Sequence, residues 1–247
     1  MSATTNPDPA PGSLAFIPLE ANPELMTSLL VRLGLSGLQL HDVYSITDAE
    51  LLQYVPRPAH ALLLVFPVSA VYESARMAED AGVDEYRGRG DGEPVLWYKQ
   101  TIRNACGLMG LLHAVANGPA RKFIGENTPL DRLIRASIPL APAERSALLE
   151  TTPELATAHQ ETASQGDTAA PDARDDVDLH YVCFVKTEDG TLWELDGRRK
   201  GPIARGQLDD GEDVLSEKAL LWGPVKFLER GGGDMRFSCV ALAEAML

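Results

Sequence analysis

Apolar side chains recur at helical spacing at Leu25, Met26, Leu29, Leu30 and Leu33, behind Asn22-Pro23-Glu24 and ahead of Gly34. Asn22 suits the N-cap, Pro23 the first helical position and Gly34 the stop, so the pattern predicts a helix there. Ala61 to Phe66 is apolar without period, the mark of a strand buried on both faces. His180 to Lys186 and Thr191 to Leu195 alternate around Glu188-Asp189-Gly190, which predicts a hairpin. The run Leu108, Met109, Leu111, Leu112 and Val115 is too apolar for a surface helix and ends at Asn117-Gly118; it reads as a central buried helix opening at Cys106. Weaker patterns predict extended pieces at Leu14 to Leu19 and His41 to Tyr44, and Gly88, Gly90 and Gly92 make a polar loop before Val95 to Lys99. They also predict a short helix at Asp48 to Gln53, an exposed one at Tyr72 to Asp84, and two more at Leu130 to Ile138 and Pro142 to Leu149. A helix broken at Gly223-Pro224 follows over Leu215 to Leu228, then a last strand from Arg236 to Ala243. Thr157 to Asp176 has no large apolar side chain and specifies no element, so it reads as a linker, an insert or a lid. Helices and strands are interspersed, and the expected class is mixed, α+β.

The 247 residues are enough for one large domain or two small ones. With 22 basic and 36 acidic residues the net charge is -14, a field that repels nucleic acid and anionic membranes and favours a basic protein partner. The best apolar run, Ala59 to Val71, is too short to span a membrane and contains Pro67. Met1 to Gly12 has neither a basic start nor an apolar centre, so a flexible tail is expected rather than a secretory signal. Cys106, Cys183 and Cys239 are odd in number and in no metal or disulfide spacing, which points to a reducing, cytoplasmic or nuclear setting without a metal or cofactor.

Cys106 carries the sharpest chemistry. At a helix N-terminus, free amides and the partial positive charge favour a thiolate. Gln100, six residues earlier, can bring its side-chain amide to the point faced by the Cys106 amide, the arrangement of an oxyanion hole. A base is also needed. His113 lies about 10 Å along the same helix, too far to take the proton. His41, His60 and His159 read as structural or solvated. His180 opens one hairpin strand, and Asp196 ends the other within a residue or two of facing it, so a carboxylate can orient the imidazole. Activity is then expected to fall on acidification as His180 protonates.

The stretch Gln100-Thr101-Ile102-Arg103-Asn104-Ala105-Cys106-Gly107, continued by Gly110-Leu111-Leu112-His113-Ala114-Val115-Ala116-Asn117, resembles the nucleophile motif of the papain-like ubiquitin carboxyl-terminal hydrolases. Asp178-Leu179-His180-Tyr181-Val182 and Leu192-Trp193-Glu194-Leu195-Asp196-Gly197-Arg198-Arg199 resemble that family's histidine and aspartate motifs. Pro18 to Glu24, Val55-Pro56-Arg57-Pro58 and Arg236-Phe237 also fit, so the likeness runs from about Leu14 onward, most closely to the short, single-domain members. The resemblance implies a papain-like cysteine protease fold: an antiparallel sheet between helices, with a knotted backbone, forming one domain over residues 13–247. It implies Cys106 as nucleophile, His180 as base and then acid, Asp196 as the residue orienting it and Gln100 as the oxyanion donor. The substrate implied is the C-terminal glycine of ubiquitin, freed of small adducts or short peptides, by a monomer. The stretch at about 157–177 would be the crossover loop over the active site. Glu20, Glu24 and Asp42 would meet ubiquitin's basic tail, and Pro18 and Leu19 would add apolar contact. Two other functions fit the same motifs: hydrolysis of a closely related ubiquitin-like modifier, or binding and stabilising ubiquitin with little turnover. Leu108-Met109 and the Gly-rich loop from Arg87 to Gly92 depart from the common pattern, and Arg103 and Asn104 receive no role.

Overall fold

The computed structural model describes residues 14–166, 178–231, 234 and 236–246. Its first half runs α1 (Pro23–Leu33), β1 (Leu38–Asp42), α2 (Ala49–Leu52), β2 (Ala61–Pro67), α3 (Ala70–Asp80), α4 (Cys106–Ala116), α5 (Pro129–Ser137), α6 (Pro142–Glu150) and α7 (Pro153–Ala163). The second half runs β3 (Leu179–Lys186), β4 (Thr191–Leu195), β5 (Ile203–Gln207), α8 (Glu217–Trp222), α9 (Val225–Glu229) and β6 (Ser238–Glu244). The strands form one six-stranded antiparallel sheet in the order β1-β6-β2-β3-β4-β5.

The predicted α1 forms for the expected reasons. Asn22 Oδ1 accepts from the amides of Glu24 and Leu25 at 3.0 and 3.2 Å. Gly34 ends it at φ +115°, where any Cβ would also collide with Thr128. β2 has no polar face because both sides of the sheet are covered. Ala61, Leu63 and Val65 face one core with α1 and α4, while Leu62, Leu64 and Phe66 face a second with Tyr72, Leu220 and Phe227. On the first side α4 is buried at every position after Cys106. It lies close against the sheet because Gly107 and Gly110 have no Cβ: one would come within 3.0 Å of Leu19 and Leu63 respectively.

Several expectations need correction. Leu14 to Leu19 is not a strand; only Ala15 bridges to Arg103. The first strand is Leu38–Asp42, earlier than His41 to Tyr44, and the last begins at Ser238. The span expected to lack structure from Thr157 is helical through Ala163. After the buried Leu155, α7 packs with small and polar residues, His159 stacking on Phe16 at 4.9 Å and bonding the Ile17 carbonyl at 2.8 Å, so no large apolar side chain announces the part from Thr157. The remainder of that stretch, residues 167–177, and the N-terminal tail lie outside the described residues. α3 is inverted with respect to its surroundings: it buries Tyr72, Arg76 and Asp80 and exposes Val71 and Met77. Beneath it Arg199 bonds Asp80 at 2.6 Å and Arg205 bonds Glu79 at 2.8 Å and the buried Glu194 at 2.7 Å. Burial of these charges is tolerated because each has an opposite partner.

A second buried pair joins α6 to the stretch that leads into α4. Arg145, fully buried, donates to both Glu93 carboxylate oxygens, to the Trp97 carbonyl at 3.1 Å and to the Ser137 carbonyl at 2.9 Å.

Candidate active site

Cys106 is half-buried at the first position of α4. Ala105 is the N-cap and offers no side-chain hydrogen bond, so no side-chain cap takes the first-turn amides. The approach is pinned by backbone bonds from Phe16 N–H to the Arg103 carbonyl and from Arg103 N–H to the Leu14 carbonyl, each 3.0 Å.

His180 sits at the start of β3 opposite Phe66, whose ring meets it edge-on at 5.9 Å. Its Nε2 donates to Asp196 Oδ1 at 2.7 Å, and the Cys106 thiol lies close enough to raise its pKa. The sheet thus brings together three residues from two distant segments. The hairpin register is Cys183 opposite Leu195, so Asp196, just beyond β4, reaches His180 diagonally rather than directly across. Asp196 has no solvent exposure and is held on every side. Oδ1 also accepts from Arg198 N–H at 2.8 Å, Oδ2 from the Tyr72 hydroxyl at 3.0 Å, and its carbonyl from Trp97 Nε1 at 3.1 Å. Tyr72, Trp97 and Arg198 were not legible as site residues; only the fold folds them around the carboxylate.

Burial alone would push the His180 pKa down, but the Asp196 charge, its hydrogen bond and the Cys106 thiol outweigh burial and raise it to about 9. Burial likewise opposes ionisation of Asp196, yet the His180 charge and the donors around it hold this carboxyl well below the usual carboxylate range. Against the expectation that His180 gains its proton on acidification, its raised pKa beside Asp196 favours the imidazolium already at neutral pH. This predicts a pH dependence of stability. His180 is raised from 6.5 to about 9, so its contribution is complete below about pH 6.5 and is lost as pH rises through about 9. The expected loss is up to about 3 kcal/mol over that window. Urea unfolding of wild type and His180→Ala across it is the check; equal slopes in the two proteins would contradict the assignment.

Beside Cys106 opens a cavity of about 530 Å³ whose walls include Pro18, Glu20, Asn104, Tyr181 and Arg236. Leu19 also reaches it, although it is buried and its carbonyl accepts from the Tyr181 hydroxyl at 2.8 Å, so it anchors the wall. Glu24 and Asp42 are exposed and do not line the cavity. Gln100 is tied to the Asp196 turn, its N–H donating to the Gly197 carbonyl at 2.9 Å. Its Nε2 donates to the Ile102 carbonyl at 3.3 Å, while Oε1 is buried without a partner. The other histidines do structural work. His41 bonds the Glu244 carbonyl at 2.9 Å, and His60 packs against Phe123. His113 accepts from Tyr98 N–H at 3.0 Å, its pKa pushed down to about 4 by burial.

Comparison with known proteins bears on this geometry. Residues 16–221 match the family model described as ubiquitin carboxyl-terminal hydrolase, family 1. Ubiquitin carboxyl-terminal hydrolase 3 of Arabidopsis thaliana is 33% identical over 240 residues, covering 94% of this chain and 95% of its own. Ubiquitin carboxyl-terminal hydrolase isozyme L1 of Monodelphis domestica is 36% identical over 228 residues, covering 92% and 97%. In structure, the Trichinella spiralis UCH37 catalytic domain bound to ubiquitin vinyl methyl ester superposes with a TM-score of 0.71 at 21% identity, over 96% of this chain and 98% of that one. With a family match over most of its length and relatives matched nearly end to end, the chain belongs to ubiquitin carboxyl-terminal hydrolase family 1.

Proposed function

We propose that this chain is a thiol-dependent deubiquitinating hydrolase that frees the C-terminal glycine of ubiquitin from small adducts or short peptides through an acyl-enzyme on Cys106. The observation that carries this reading is the relay in which Asp196 holds His180 at 2.7 Å while the Cys106 thiol lies close enough to raise the His180 pKa. With the Cys106 proton on His180, Sγ attacks the glycine carbonyl. The oxyanion that forms meets the uncapped Cys106 N–H, and Gln100 Nε2 supplies a second donor. Collapse breaks the bond to the leaving group as His180 passes its proton to the departing amine or thiolate. Water then attacks the thioester, giving its proton to His180, and releases the glycine carboxylate with Cys106 restored.

Acidic character supports the choice of partner: the net charge is -14 and Glu20 stands in the cavity wall, which suits the basic tail of ubiquitin. The place of Cys106 in the lining of a cavity of about 530 Å³ suits small leaving groups. A free Cys106 thiol is required, which suits a reducing cytoplasmic setting. The test is reaction with ubiquitin carrying a C-terminal electrophile, alongside the same probe on a related ubiquitin-like modifier. A covalent adduct is expected with wild type and none with Cys106→Ala, whose turnover should fall by on the order of 10⁴-fold. Binding without an adduct would make the chain a ubiquitin-holding protein, and a faster reaction with the other probe would change the modifier.

A further inference from the structure

The polar face that α3 turns inward meets the turn that carries Asp196. Tyr72, Arg76 and Asp80 follow one another at spacings of four, so they form a single buried stripe. That stripe lies over the residues that follow β4. Asp80 bonds Arg199 at 2.6 Å, Glu73 pairs with Arg198 at 3.2 Å, and the Tyr72 hydroxyl donates to Asp196 Oδ2 at 3.0 Å. The start of the helix is fixed as well. Ser69 accepts from Tyr72 N–H at 3.1 Å and donates to the Arg230 carbonyl at 3.0 Å. The Tyr72 ring packs on Phe66 and Phe227 at 4.7 and 5.6 Å between centroids. A phenol seated in this way presents its hydroxyl at one point, with little rotamer freedom left to lose.

Asp196 has no solvent exposure, so protein donors take the place of water around its charge. Oδ1 accepts from His180 and from Arg198 N–H, while Oδ2 accepts from Tyr72. A donor on one oxygen of a carboxylate disperses its charge and weakens the hold of the other oxygen on a neighbouring cation. Burial and the Asp196 charge push the Tyr72 pKa well above the ordinary 10, so the hydroxyl stays a donor through neutral and mildly alkaline pH. The other groups that face Asp196 and His180 are Arg76 on α3, Glu194 on β4, Arg198 in the turn, and His113 and Cys106 on α4. His113, pushed down to about 4 by burial, is uncharged at neutral pH and above.

We infer that Tyr72 is a positioning residue for the hydrolysis, acting through Asp196: its hydroxyl takes up part of the carboxylate charge, so that His180 is oriented and still releases its proton to the leaving group. The inference rests on the proposed cleavage at the C-terminus of ubiquitin. Tyr72→Phe keeps the ring and removes the hydroxyl. The experiment measures kcat and KM on ubiquitin bearing a C-terminal fluorogenic amide over a pH series, the NMR titration of the His180 ring, and the thermal midpoint. In Tyr72→Phe the undispersed carboxylate should hold the imidazolium more tightly, moving the His180 titration and the alkaline limb of kcat up by about half a pH unit or more. At neutral pH kcat should fall about fivefold with KM unchanged, because the imidazolium is then a weaker proton donor. A loosened carboxylate would move the titration downward, so the sign separates this role from a packing defect. Phe227→Leu disturbs the same aromatic group and leaves the hydroxyl in place; it should lower the thermal midpoint with the titration at its wild-type position. An unmoved or lowered titration in Tyr72→Phe, or a wild-type kcat, overturns the inference and leaves the hydrolase reading intact. An equal upward shift in Phe227→Leu also overturns it, since the effect would then belong to packing. Absence of turnover in wild type overturns the hydrolase reading and this inference with it.

Discussion

Asp196→Asn is expected to lower kcat on a ubiquitin-tail substrate by about a hundredfold or more, with KM little changed. The isosteric amide keeps the packing among Tyr72, Trp97 and His180 but removes the charge. What remains at His180 is burial, which lowers its pKa, against the support of Cys106 alone, so the value should drop from about 9. The imidazole would then lose its proton at lower pH, and the alkaline fall in kcat, set near pH 9 in wild type, should move to lower pH. A pH series of kcat together with NMR titration of the His180 ring reads both effects. A variant that retains wild-type turnover and its alkaline limb would remove Asp196 from the relay. The distinction from a packing defect lies in the titration, which a merely loosened turn would not shift by this much.

The second large effect concerns stability. Arg145→Ala is expected to destabilise the fold by about 3–5 kcal/mol, because Glu93 would be left almost wholly buried without its counter-charge. The carbonyls of Trp97 and Ser137 would lose their donors as well. Urea unfolding gives the number. Replacing both partners, as in Arg145→Met with Glu93→Leu, should recover much of the loss, since a well-packed apolar pair has no desolvated charge to compensate. A small effect from Arg145→Ala alone would mean that water reaches Glu93 and that the stretch over 93–100 is held by its apolar residues, Val95, Leu96 and Trp97.

What could be read from the chain beforehand divides along physical lines. Long apolar patterns decide themselves: β2 and α4 have no solvent face, and their sequences have nothing polar to put there. The β3–β4 hairpin and the His180–Asp196 approach were legible because a short turn fixes register. Cys106 stood out through its place at a helix start. The parts that were hidden depend on partners far away in sequence. α7 covers α1 with Ala158, His159 and Thr162, and β5 is an edge strand with little apolar content beyond Ile203. α3 buries arginine and aspartate because Arg76 pairs with Glu73 and Asp80 and Asp80 also meets Arg199 from beyond β4, and no local pattern announces that last partner. The same holds for the donors around Asp196: a tyrosine on a helix, a tryptophan in a loop and a backbone amide converge only in three dimensions.

The burial of α4 also sets where this molecule can open. Every residue after Cys106 in that helix is shielded, and β2 beneath it is covered on both faces. Amide hydrogens in such elements exchange with solvent only when the whole cooperative unit comes apart. The nucleophile is therefore anchored beside a slowly exchanging unit, while the cavity wall around Pro18 and Glu20 belongs to a segment outside the sheet, tied by the bridge at Ala15 and by the Ile17 and Leu19 carbonyls. Fluctuations that admit a peptide tail can occur in that wall on a fast timescale without disturbing the register of Cys106 and His180, so access and alignment are governed by separate folding units.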